Sequence, residues 1–189
     1  MKKLFTIFTI ALLAGCSSTQ PQQVSYQPKA PEVESVAGAE SVAFTLTSKD
    51  LRTAQYVGLY RVNDDRSMPI HPRQNVRIAL DSELSRLFSD LGYTLTPNGE
   101  NSVKIEILEL LANVTPGSFT ATTSAKMAVQ LTAESPQGKF VKTYRGEANL
   151  ESSGVDEDKV ASVLNRVSNV VLETIANDVE LQTYLEKQF

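Results

Sequence analysis

The sequence predicts an α+β domain. Its architecture is a two-layer sandwich: a mainly antiparallel sheet of four to five strands, two long helices on one face, and a short C-terminal helix. Three observations predict this. Residues 119–134 keep a mainly apolar row and a mainly polar row in one period-2 register, the mark of a long strand with one wet face. Residues 76–91 and 160–175 repeat apolar residues at helical spacing. The strands run between those helices instead of alternating with them, which separates α+β from α/β.

Val42, Phe44 and Leu46 alternate with polar neighbours and predict a first strand. Residues 56–62 give a second, weaker one. Residues 63–72 read as a loop holding Asn63, Asp64, Asp65, Pro69 and Pro72. Val76, Leu80, Leu84, Leu87, Phe88 and Leu91 then predict a helix, with Pro72 at or near its start and Gly92 as a left-handed stop. Residues 93–96 predict a short strand turned by Pro97, Asn98 and Gly99. In the next strand Val103, Ile105 and Ile107 share one face, and Leu108, Leu110 and Ala112 the other. The slip at 107–108 calls either for a β-bulge or for cover on both faces.

After Pro116 and Gly117, Phe119, Ala121, Thr123, Ala125, Met127, Val129, Leu131 and Ala133 face inward. Thr120, Thr122, Ser124 and Lys126 begin the polar row opposite. Pro136, Gln137 and Gly138 turn the chain into residues 140–150, where Phe140, Tyr144, Ala148 and Leu150 face inward and Lys142 breaks the pattern. Asp156, Glu157 and Asp158 open the last long helix, and Asn177 and Asp178 restart a short terminal one.

The first residues give an address. Lys2 and Lys3 precede an apolar run, residues 4–14, broken only by Thr6 and Thr9. At about 1.5 Å per residue this run is too short for a bilayer core of roughly 30 Å, so it reads as a signal peptide, residues 1–15. It ends in Leu13-Ala14-Gly15-Cys16, which resembles the bacterial lipobox. That resemblance implies cleavage between Gly15 and Cys16 and acyl chains on Cys16. Three chains exceed the two-signal requirement for stable anchoring. Ser17, not Asp, follows the cysteine, which by the same resemblance implies sorting to the inner leaflet of the outer membrane, with the body in the periplasm. Residues 16–40, rich in Ser, Gln, Pro and Ala, read as the lipidated cysteine and a flexible tether. Val24 and Tyr26 are the residues most suited to pack if part of it forms an edge strand. Residues 41–189 form the globular domain.

Composition excludes several functions. A formal net charge of −4 is not that of a nucleic-acid binder. One cysteine, one histidine and no tryptophan exclude a disulfide scaffold and a histidine-based metal cluster. His71 lacks the surroundings of a catalytic triad, and no nucleophile elbow or phosphate loop occurs. Asp156-Glu157-Asp158 lacks the alternation and central glycine of a calcium loop, and Asp64-Asp65 is a turn signal. Glu106 and Glu109 lie across the phase slip and do not form a glycosidase pair. No catalytic residue, metal or cofactor is expected beyond the covalent lipid on Cys16. Asp50-Leu51-Arg52-Thr53 stands out: Asp50 and Arg52 form either a turn locked by side chains or a partner contact.

The lipobox at residues 13–16, Asp50-Leu51-Arg52-Thr53, Gly92-Tyr93 followed by Pro97-Asn98-Gly99, Thr143-Tyr144-Arg145 and the helix from Val160 together resemble the YajG-like family of uncharacterised Gram-negative lipoproteins. The resemblance implies location and fold but no catalytic residues. The element order is also similar to the LptE-like and PqiC-like families, which assist lipid or lipopolysaccharide export. The expected role is a non-enzymatic binding or scaffolding module of the envelope. Its partner would be an envelope protein, lipid or glycan, met through Asp50, Arg52, Thr120, Thr122, Ser124 and Lys126 or by strand addition at an open sheet edge. The alternative is a lipid or glycan transport accessory with an apolar cavity between helices and sheet. The oligomeric state is open.

Overall fold

Residues 23–189, which the computed structural model describes, fold in the order β1 (Gln23–Val24), β2 (Ala43–Asp50), β3 (Gly58–Asn63), β4 (Arg66–Pro72), α1 (Val76–Asp90), β5 (Thr94–Leu95), β6 (Ser102–Pro116), β7 (Ala121–Ser135), β8 (Gly138–Ser152), α2 (Glu157–Ala176) and α3 (Val179–Gln188). The helix ends follow local chemistry. Side chains of Asn75, Asp156 and Asp178 cap α1, α2 and α3 by accepting amides of the first turn. Pro72 closes β4 instead of opening α1. Gly92 adopts φ 99°, and the Tyr93 and Gly92 amides bond back to Phe88 and Ser89, as a left-handed helix stop requires.

Strand β6 is the spine. Val103, Ile105 and Ile107, then Leu110, Ala112 and Val114, are all buried on the helix side. The switch of phase between them is a β-bulge at Leu108: Ile107 stands opposite Val129, but Glu109 opposite Ala128. The bulge also marks a fork. Below it β6 pairs in parallel with β2; above it, with β3. Along its other edge β6 pairs antiparallel with β7 throughout, and β8 continues beyond β7. β5 extends the lower branch, while β4 and then β1 extend the upper one.

The result is one mixed sheet of eight strands, not a mainly antiparallel sheet of four to five. Two causes produce the difference. Parallel neighbours are joined by long crossovers and leave no local turn signal. Residues 66–72, expected as loop, form β4 despite Pro69 and Pro72, because its outer side is bonded only at its last two residues and a missing amide costs little there.

The helices lie on one face, α2 over β6 to β8 and α1 over β2 and β5. Gly146 on β8 lets α2 come close: a Cβ there would sit 3.0 Å from the Val167 carbonyl oxygen and from Val171 Cγ2. Phe44 of β2 meets Phe88 of α1 edge-on, with ring centroids 5.4 Å apart.

Residues 24–36, expected as part of a free tether, form a strap across the helix layer. Val24, Tyr26, Pro28 and Ala30 are buried in alternation. The amides of Tyr26, Gln27, Lys29 and Ala30 donate to the side chains of Gln74, Asn165, Asn169 and Glu83 at 2.7–2.8 Å. Arg86 donates to the Ala30 carbonyl at 2.7 Å. Ser168 already donates to the Leu164 carbonyl, so the Tyr26 hydroxyl donates to Ser168 Oγ, 2.9 Å away. The apolar alternation of Val24 and Tyr26 was visible in sequence; the acceptors, on α1 and α2 and just before α1, were not.

Candidate functional site

Strand β7 presents opposite characters on its two faces. Ala121, Thr123, Ala125, Met127, Val129, Leu131 and Ala133 point to the helices and are buried. On the other face Thr122 and Lys126 are exposed and Ser124 and Gln130 half-buried, while Ala128 and Thr132 are flat, buried positions between them. Neighbouring strands extend this surface. Ser124 lies between Asn113 and Asn149, and Lys126 between Leu111 and Glu147. Lys126 Nζ is 3.1 Å from Glu147, with both side chains more than 60% exposed, and Lys104 pairs with Glu106 at 3.0 Å. The surface is broad, hydroxyl-rich and of mixed charge. Rigid backbone pairing on both sides fixes its side chains in register.

Thr122, Ser124 and Lys126 therefore stand together as the sequence predicts, with exposed Thr120 just before the strand. Asp50 and Arg52 do not join them. Period 2 along β2 places Phe44, Ser48 and Asp50 on the helix side, where Ser48 accepts from Arg77 of α1 at 3.1 Å. Arg52 folds back as a fork: Nε donates to Asp50 Oδ1 at 2.9 Å and Nη2 to Oδ2 at 2.7 Å. Its side chain is only 6% exposed. Burial alone would raise the Asp50 carboxyl, but the bonds from Arg52 outweigh it and hold it below the ordinary value. This pair locks the loop that spans the fork of the sheet, and Nε, Nη1 and Nη2 of Arg52 each donate within the chain.

A second polar cluster escaped the sequence reading. Lys142, the break in the β8 pattern, points to the helix side and reaches Asp178 at 3.0 Å and Glu180 at 2.7 Å. The Tyr144 hydroxyl donates to Asp178 Oδ2 at 2.5 Å. Burial and this donation both push the Tyr144 hydroxyl up. Burial would raise Asp178 as well, yet the bonds from Tyr144 and Lys142 hold it below the ordinary value. Asp178 thus caps α3 and ties the α2–α3 joint to β8. The cluster lines a surface cleft with Val170, Glu173 and Thr174, and its single ammonium is shared between two carboxylates. The only signal in sequence was the misplaced Lys142.

His71 is exposed on β4, opposite Gln23. Glu106 and Glu109 are separated by the bulge, and Asp156 serves as a helix cap. Among the described residues no group of His, Cys, Asp and Glu could hold a metal ion, and no helix is long and apolar enough to cross a membrane. Gly15, Cys16 and the signal-peptide segment lie outside the described residues.

Comparison with known proteins agrees with this picture of fold without assigned chemistry. Residues 28–186 match the model of a family described as uncharacterized lipoprotein. The uncharacterized lipoprotein YajG of Escherichia coli K12 is 25% identical over 178 residues, covering 93% of this chain and 90% of its own. A crystal structure of a Xanthomonas campestris protein superposes with a TM-score of 0.56 at 14% identity, over 81% of this chain and 92% of that one, and shows the same fold.

Proposed function

The chain belongs to the uncharacterised lipoprotein family, and from that premise we propose that it is a non-enzymatic binding or scaffolding module of the cell envelope. Acyl chains on Cys16 would hold it to the inner leaflet of the outer membrane, with the folded body in the periplasm. The signal-like residues 1–15, the lipobox and Ser17 support that location. One observation carries the binding role: the sheet face centred on Thr122, Ser124 and Lys126 carries no helix among the described residues, while every helix lies on the other side.

The space a carrier would need is filled. Leu80, Leu84, Leu87 and Phe88 of α1 are no more than 1% exposed against the sheet. A photo-crosslinking side chain at Thr122 or Lys126 of the lipidated protein in cells tests the reading. Discrete adducts with an envelope protein or glycan are expected from these positions, and none from Ser82 on the exposed side of α1. Equal yields from all three positions, or adducts with phospholipid alone, overturn it. Sedimentation of the protein with inner membranes would overturn the proposed location.

A further inference from the structure

The strap changes how far the body can stand from its anchor. If Cys16 carries acyl chains, as proposed above, only seven residue steps separate it from Gln23, the first described residue, which is paired into the sheet. Fully extended, they span at most about 25 Å. Strand register shows where that leash ends. Gln23 is paired with His71; Gly58 stands opposite Ile70 and beside Ala112, so Gln23 lies level with Leu111 on β6. β1 runs parallel to β4, so the chain comes in from the side of the β3–β4 turn. From the level of Leu111 to Ser102, at the opposite end of β6, is about 30 Å at strand rise, beyond the reach of the leash. The end that holds the β3–β4 turn is about 17 Å away, within it.

That near end also carries the molecule's most exposed large apolar side chain among the described residues. Phe119 is 93% exposed. The alternation of residues 119–134 would place it inside, but β7 starts at Ala121 and leaves Phe119 on the β6–β7 turn. The β3–β4 turn emerges at the same end of the sheet: β3 runs parallel to β6, with Tyr60 level with Val114, and continues toward that end. Val62 is exposed there too. At the β3–β4 turn Arg61, Asp64, Asp65 and Arg66 are all exposed, two of each sign, so this tip carries no net charge and the apolar contact comes from Phe119 and Val62. Gly117 keeps the Phe119 turn tight, since a Cβ on it would lie 2.4 Å from the Thr120 carbonyl oxygen.

We infer that this end of the domain rests on the phospholipid surface to which the chain is leashed, with Phe119 inserted among the headgroups and Val62 beside it. The inference rests on the lipid-anchor reading. It sets the body's orientation: the strands stand with the β6–β7 turn down and the β7–β8 turn away from the bilayer.

The chain contains no tryptophan, so Phe119→Trp places a single reporter at the turn. The full-length lipidated variant is reconstituted into vesicles of phosphatidylethanolamine and phosphatidylglycerol with brominated acyl chains. Gln137→Trp, in the β7–β8 turn, is the comparison. The protein should float with the vesicles. The Phe119→Trp emission should shift to the blue and lose roughly half its intensity, as for a side chain about 5–10 Å below the surface. The Gln137→Trp emission should not change. Flotation with identical, water-like emission from both reporters overturns the inference and leaves the anchor standing. Failure to float, with an unmodified Cys16 by mass spectrometry, overturns both. A blue shift that requires added envelope protein assigns the turn to a protein partner and likewise overturns it.

Discussion

Two stretches that both carry polar side chains behave oppositely: the strap over residues 24–36 and the outer row of β7. Ser25, Gln27, Lys29, Glu32, Glu34 and Ser35 alternate or run with apolar residues in the strap, and Thr122, Ser124, Lys126 and Gln130 form the row. The outer row faces water, whereas the strap is held down across two helices. The difference lies in the backbone. Along β7 the main chain is paired on both edges by β6 and β8, so its outer side chains are free of structural duty. The strap has only Val24 in a strand, and its remaining amides need acceptors elsewhere. Gln74, Glu83, Asn165 and Asn169 supply four of them. Side-chain polarity therefore does not tell whether a segment is free; where its backbone bonds go does.

The sharpest way to break this comparison is Tyr26→Ala. Tyr26 is fully buried between strap, helices and sheet. Its removal should cost about 3–5 kcal/mol in denaturant unfolding, the range for a large buried aromatic. A free tether would show no change at all. Next in size is Asp178→Ala, which removes the cap of α3 and leaves the Tyr144 hydroxyl buried without its acceptor, for about 2–4 kcal/mol together. Because the folded state holds the Asp178 carboxyl below its ordinary value, its contribution is complete above that value and is lost as pH falls through the lowered one. Unfolding followed below about pH 4 should show a shallower acid decline in Asp178→Asn than in the parent.

Tyr26→Phe separates packing from hydrogen bonding and should cost about 1 kcal/mol at neutral pH. Burial pushes the Tyr26 hydroxyl from 10.0 up to about 12. Its neutral form thus supports the fold fully below pH 10, and that support fades as pH rises toward 12. Unfolding scans across that window should show a smaller alkaline loss in Tyr26→Phe than in the parent. Asn165→Ala removes one strap acceptor near the surface and should cost about 0.5–1 kcal/mol.

What could be read beforehand follows the same division. The phase slip at Leu108, the stop at Gly92 and the helix starts near Asp156 and Asp178 were legible because each depends on a few adjacent residues. The wet row of Thr122, Ser124 and Lys126 was legible because period 2 is local. The parallel pairs of β6 with β2 and β3, the acceptors beneath the strap and the partners of Lys142 were not, since each joins residues far apart in sequence. Asp50 and Arg52 were legible as a bonded pair but not as one facing the helices. Phe119 misled because alternation shows the phase of a strand and not the residue at which it begins.

The smallest expected effect on stability tests the other half of the comparison. Lys126 and its partner Glu147 are mostly exposed, and the backbone around them is paired without their help. Thr122→Ala and Lys126→Ala should each change unfolding stability by less than about 0.5 kcal/mol, as surface positions free of structural duty do. If the face serves a partner, the same substitutions should reduce the yield of adducts formed from a crosslinker at neighbouring Ser124, with protein level unchanged. A loss of stability above about 1 kcal/mol would show that the row carries part of the fold. Unchanged adduct yield in both variants would instead separate the face from binding, leaving the contrast with the strap one of exposure alone.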